Sequence, residues 1–89
     1  MYESENDIAI IIGRRIRAER KKYKLTQETL ADRCVPPLNS SYLGEVERGE
    51  KSITAVKLRS IAIALDVSLD YLTKMPDAKQ SKMMMFNAL

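Results

Sequence analysis

The chain has 89 residues, 45% of them hydrophobic, with 15 Lys and Arg against 12 Asp and Glu for a net charge of +3. That length holds one domain with one modest core, and that apolar share excludes a disordered chain. Four Tyr, one Phe and no Trp require an aliphatic core, which favours packed helices.

A first helix is predicted to start after Ser4, which can cap it, with Glu5 and Asp7 at the positive end of the helix dipole. Ile8, Ile12, Ile16 and Tyr23, with Ile11 alongside, trace its apolar stripe. Arg14, Arg15, Arg17, Arg20, Lys21, Lys22 and Lys24 crowd together against the single acid Glu19. A helix C-terminus favours some of these cations, but the cluster exceeds what one helix end requires. Its field attracts phosphate; a solvated cationic face is the alternative.

Thr26 caps a second helix, with Leu30 and Ala31 facing inward. It must stop near Cys34, because Pro36 disfavours helical geometry at Val35 and Pro37 repeats the break. Asn39 caps a third helix from Ser40 to about Arg48, with Leu43 and Val46 as its inward pair and Gly49 ending it in the left-handed conformation.

Thr54 caps a fourth helix, Ala55 to Leu65, whose stripe is Leu58, Ile61, Ala62 and Leu65. Ser68 caps a short fifth, Leu69 to about Lys74, and Pro76 prevents its continuation. No segment alternates with the period of a strand. The reading is an all-α domain over residues 1–75 and a tail over 76–89. The tail's Met83, Met84, Met85, Phe86 and Leu89 are expected to pack on the domain or to contact a second copy, ahead of staying disordered.

The order of these pieces resembles one family. Ile12-Gly13-Arg14-Arg15-Ile16-Arg17 with Arg20, then Leu25-Thr26-Gln27-Glu28-Thr29-Leu30-Ala31, look like the first two helices of the Cro/phage-repressor type of helix-turn-helix, also called the xenobiotic-response-element family. Ser41-Tyr42-Leu43-Gly44-Glu45-Val46-Glu47-Arg48-Gly49 looks like its recognition helix and terminating glycine. Ile61 to Leu72 is similar to its last two helices. The resemblance implies a five-helix, lambda-repressor-like helix-turn-helix domain that binds double-stranded DNA.

Two departures stand out. Cys34-Val35-Pro36-Pro37-Leu38 is about two residues longer than the family's usual turn and lacks its glycine, so a shifted angle of the third helix is expected. Lys24 stands where the family often has glycine.

A helix fits the major groove, so residues near its N-terminus can reach base edges. Ser40, Ser41, Gly44 and Glu45 are expected on the face opposite Leu43 and Val46, with Asn39 at its start. Glu45 either accepts from a cytosine amino group or repels misplaced phosphate. Gly44 permits close approach, at about 1 kcal/mol of helix propensity, and its position suggests function over packing.

In the resembled family a Gln at the place of Gln27 binds phosphate, which suits amide donors at a helix N-terminus. Arg48, Lys51 and Tyr42 are further phosphate candidates, with Arg14, Arg17 and Lys21 behind them. Capping its own helix or pairing with Glu47 is the alternative for Arg48. Arg15 is expected to make an internal ion pair, with Glu47 as candidate partner, and Cys34 to be an inert residue near a core edge.

Nothing indicates an enzyme. There is no His, no glycine-rich phosphate loop, no nucleophile pair and no zinc set. No cofactor or small-molecule ligand is expected, and no run approaches the ~20 apolar residues of a membrane span. One Cys excludes an intramolecular disulfide and suits the cytoplasm.

The functional expectation is a transcriptional regulator of repressor or restriction-modification controller type. It would bind a near-palindromic operator as a homodimer, with half-sites about 10 base pairs apart. The alternative is a protein-interaction module that keeps the fold without reading DNA.

Overall fold

The computed structural model describes residues 5–74, and side chains from Asp7 onward. The proposed cap at Ser4 and the Met-rich tail lie outside the described residues. Among the described residues five helices occur in chain order: α1 (Glu5–Lys22), α2 (Gln27–Arg33), α3 (Ser40–Glu47), α4 (Ala55–Leu65) and α5 (Leu69–Thr73). No strand occurs among the described residues. No described helix is long and apolar enough to cross a membrane.

Four of the five helix starts follow from one polar residue each. Thr26, Asn39, Thr54 and Ser68 sit in extended backbone, and their side-chain oxygens accept from amides of the first turn. Those amides have no partner inside the helix, so each cap is worth about 1 kcal/mol.

Three helix ends share one device. After α1, α3 and α4 a left-handed residue, Lys24 (φ 57°), Gly49 (φ 75°) or Asp66 (φ 56°), turns the chain back. The next amide then reaches a carbonyl five residues earlier: Leu25 to Arg20, Glu50 to Glu45, and Val67 to Ala62. This is the Schellman closure, and only one of the three uses the glycine that the backbone favours.

The core is aliphatic. Ile16 of α1, Leu30, Ala31 and Cys34 around α2, Leu43 and Val46 of α3, Leu58, Ile61, Ala62 and Leu65 of α4, and Leu72 of α5 are buried together. Each large side chain contributes roughly 1.5–3 kcal/mol by leaving water. The stripe expected on α1 is only partly realised. Ile16 is buried and Ile12 half-buried, but Ile8 is exposed, and Tyr23 lies beyond the helix end, about half exposed.

What α1 turns inward instead includes Gly13. A Cβ there would lie 2.2 Å from the Val46 carbonyl oxygen and 2.8 Å from that of Glu47. The backbones of α1 and α3 therefore touch at this point, which sets where the third helix sits.

The longer α2–α3 turn is moored at both ends. The Leu38 amide donates to the Ala31 carbonyl at 3.0 Å. On α4, the Ser60 hydroxyl accepts from the Val35 amide at 2.9 Å and donates to the Val35 carbonyl at 3.1 Å. The Val35 side chain itself projects into solvent.

Candidate nucleic-acid interface

On α3, Leu43, Val46 and Glu47 are buried. Ser41, Glu45 and Arg48, spaced four and three apart, share the outward stripe; Ser41 and Arg48 are exposed, and Glu45 and Ser40 half-buried. The Asn39 Oδ1 is committed to the cap, accepting from the Ser41 amide at 2.8 Å and the Tyr42 amide at 3.2 Å.

Gly44 is buried, contrary to its expected place on the open face. A Cβ there would come within 3.2 Å of Arg48 Nη1 and 3.2 Å of Gln27 Oε1. The two side chains lie over it, so its missing side chain serves packing.

Beside α3 runs a groove between α1, α2 and the end of α3, lined by Arg14, Arg17, Gln27 and Arg48 together with Ile10, Arg20 and Glu47. Two of the weaker candidates, Arg14 and Arg17, thus converge with the two stronger ones. Lys21 is exposed and not among the groove's lining. Lys51 is elsewhere, at an apolar recess with Ile8, Ile12, Val46 and Ile53.

Tyr42 turns toward α4. Its hydroxyl donates to the Ser52 carbonyl at 3.4 Å, and the Lys57 ammonium sits 4.6 Å from its ring centroid. Burial, and secondarily the charge of Glu45, push the Tyr42 phenol up from its usual range. Lys57 had no signal in the sequence beyond being a charge in the first turn of α4.

The groove floor is held by an ion pair that sequence reasoning assigned to the wrong arginine. Arg20, not Arg15, meets Glu47: Nε donates to Oε2 at 2.7 Å and Nη2 to Oε1 at 2.9 Å. Arg20 Nη1 also donates to the Leu25 carbonyl at 2.8 Å. The bidentate bond to Glu47 raises the Arg20 pKa, against the opposing effect of burial. Glu47 Oε1 further accepts from Gln27 Nε2 at 3.2 Å, which orients the Gln27 amide.

Arg15 points to the other side of α1. There its Nη1 donates to the carbonyls of Tyr71 and Lys74 at the end of α5, and its guanidinium lies 5.9 Å from the Tyr71 ring centroid. A cation there meets the negative end of a helix and an aromatic face.

Arg48 does cap its own helix, its backbone amide donating to the Gly44 carbonyl at 3.1 Å, but its side chain does not pair with Glu47. Its Nε and Nη2 donate to the two Glu50 oxygens at 2.8 and 3.2 Å, in solvent. The pair raises the Arg48 pKa and lowers that of Glu50, chiefly through the hydrogen bond.

Two short helices at the turn, the second of them capped and bearing a wet stripe, and a cationic groove beside it make up a known constellation, and the helix-turn-helix family matches residues 16–72. The chain belongs to the helix-turn-helix family. It is 36% identical over 63 residues, 71% of this chain and 73% of the relative, to control protein C.SmaI of Serratia marcescens. Among solved structures it is similar to the restriction-modification controller protein C.AhdI of Aeromonas hydrophila. That match has 38% identity and a TM-score of 0.67, covering 72% of this chain and 94% of the other. It is also similar to the P22 c2 repressor in complex with the synthetic operator 9T, at 34% identity and a TM-score of 0.66, over 72% and 94% of the two chains. No group of acids or cysteines among the described residues could hold a metal ion.

Proposed function

We propose that this helix-turn-helix protein is a sequence-specific DNA-binding transcription regulator, of the controller or repressor kind, acting as a homodimer on a near-palindromic operator. The single observation that carries the reading is the convergence of Arg14, Arg17, Gln27 and Arg48 on one groove beside the outward stripe of α3. That layout separates two tasks. The groove offers four donors to a phosphate backbone, and the stripe offers Ser41 and Glu45 to base edges.

Phosphate contacts position the protein and carry no sequence information. The Gln27 amide, held by Glu47, and the Arg48 guanidinium fix the depth and angle at which α3 enters the major groove. Ser40, Ser41 and Glu45 then meet donors and acceptors on the bases. Asn39 and Gly44 serve the interface indirectly, the first by capping α3 and the second by letting Gln27 and Arg48 lie close. Lys57, over the Tyr42 ring, and Lys51 flank α3 on the side away from the groove.

Selection of bound duplexes from a random pool tests the reading. Recovery of a near-palindrome with half-sites about 10 base pairs apart supports it. Its affinity must also fall steeply with salt, with Gln27→Ala weakening it further. No enrichment, with indifference to DNA at physiological salt, would leave a protein-interaction module on the same fold. A regulator of this family also accounts for the cytoplasmic placement expected from its one cysteine.

A further inference from the structure

The outward stripe of α3 has a different neighbour on each side. On a helix turning about 100° per residue, Ser41, Glu45 and Arg48 centre the stripe, Gly44 lies about 70° to one side and Tyr42 about 90° to the other. The side chains of Gln27 and Arg48 lie over Gly44, on the side of the cationic groove. On the Tyr42 side, the ring carries the Lys57 ammonium from the first turn of α4, 4.6 Å from its centroid. Lys57 is exposed. No carboxylate among the described residues pairs with it, whereas Arg20 and Arg48 each have one. The Tyr42 hydroxyl is engaged with the Ser52 carbonyl at 3.4 Å. An aromatic face attracts a cation without neutralising it, so the ammonium keeps its charge for a second anion.

We infer that Lys57, positioned by the Tyr42 ring, holds the second phosphate strand bordering the major groove, opposite the strand met by Gln27 and Arg48. This inference rests on the DNA-binding function proposed above. The major groove is about 12 Å wide, and a helix with its side chains is about 10–12 Å across. A seated α3 therefore has a phosphate strand close on either side, and cations on one side alone would draw it off the midline. A lysine stem is long and mobile, and immobilising it on binding weakens the contact it makes. Resting on the ring, Lys57 has given up much of that freedom before DNA arrives. Tyr42 is thus a positioning residue, and the phosphate contact expected of it passes to Lys57. Such a contact carries no sequence information.

The test uses the full chain and two probes, the duplex recovered from a random pool and a random-sequence duplex of equal length, each titrated across salt concentrations. Lys57→Gln is expected to weaken binding to both probes by a similar factor, about fivefold at 0.15 M salt, and to make each salt slope shallower by about one phosphate contact. Tyr42→Leu should weaken both about threefold by freeing the lysine. Tyr42→Phe keeps the ring and should retain binding, and in a Lys57→Gln background Tyr42→Leu should add nothing. Proton NMR reads the pair without DNA: the Lys57 side-chain protons should be shifted upfield by the ring in the parent and in Tyr42→Phe.

An unchanged salt slope in Lys57→Gln overturns the inference. So does a loss in Tyr42→Phe equal to that in Tyr42→Leu, since the hydroxyl would then be the contact. A Tyr42→Leu loss that persists in the Lys57→Gln background, or a Lys57→Gln loss confined to the selected duplex, overturns it too. Should Tyr42→Leu fail to fold, absence of the upfield shift in the parent or in Tyr42→Phe still refutes the positioning role. Failure of the unaltered protein to bind either probe removes the DNA-binding function itself, and is distinguished from these by the absence of any titration to compare.

Discussion

Arg20 of α1 and Glu47 of α3 form a two-pronged buried ion pair, with bonds of 2.7 and 2.9 Å, directly under the Gln27 amide. Both residues are at least nine-tenths buried. The desolvation cost of two such charges is met only while each has the other. Removing one partner strands a charge in the interior.

Glu47→Ala is therefore expected to lower unfolding stability by about 3 kcal/mol or more, read from urea denaturation. Replacing both partners with apolar residues, Arg20→Met with Glu47→Leu, should recover most of that loss. The double variant also deprives Gln27 of its acceptor. Restored stability with persistently weak DNA binding is the expected combination, and restored binding would show that the Gln27–Glu47 bond is dispensable.

Gly13→Ala is expected to cost about 2 kcal/mol or more, since the new methyl would sit 2.2 Å from a backbone oxygen of α3 that has no side chain to move aside. A thermal melt unchanged from the parent would contradict the close approach of α1 and α3. The sign is informative, because at an ordinary helix position the same change stabilises by up to about 1 kcal/mol.

Lys24 and Asp66 hold left-handed backbone that costs an L-residue on the order of 1 kcal/mol. Lys24→Gly and Asp66→Gly should each return part of that, so a rise in melting temperature is expected for both. Gly49→Ala should fall instead. It imposes the same strain and places a methyl 2.6 Å from the Ile10 side chain.

Cys34 is 1% exposed, and its thiol donates to the Leu30 carbonyl at 3.4 Å. Burial pushes its pKa above the usual 9.0, against a smaller opposing effect of a hydrogen bond with Ser60. Native labelling by a thiol reagent should be slow at neutral pH and rise to the free-thiol rate only on unfolding. The raised pKa also means that the unfolded chain loses this proton first as pH rises. The neutral thiol's contribution to stability is complete below about pH 9 and lost as pH climbs through the raised native value. Stability that increases across that window in a comparison with Cys34→Ala would refute this.

Helix starts and ends were readable because each depends on one or two local residues. Thr26, Asn39, Thr54 and Ser68 supply an oxygen, and Gly49 supplies a left-handed bend, within reach of the atoms they satisfy. Lys24 and Asp66 close their helices the same way, but nothing local announces a lysine or aspartate in that role.

Tertiary partners were harder. Among the cations of α1, choosing which one meets Glu47 requires knowing which side of the helix faces α3. The signal was Gly13, an interior glycine whose face also carries Ile16 and Arg20, three and seven residues on. Arg15, two residues on, points away and finds α5. Glu47 follows Val46 on the stripe of Leu43, so its burial was open to the same periodicity that marked the leucine. Gly44 was placed in the open by its distance from Leu43 and Val46, and only the side chains of Gln27 and Arg48, from another helix and a later turn, cover it.

The contact at Gly13 leaves no slack between frame and reading head. With main chain against main chain, α3 has no side-chain cushion on which to rock, so its attitude is inherited from α1. Ser41 and Glu45 stand clear of that joint. Under the proposed function, exchanging them would redirect the protein to a different DNA word without disturbing the joinery behind them, and so this architecture would separate the freedom to diversify from the requirement to fold.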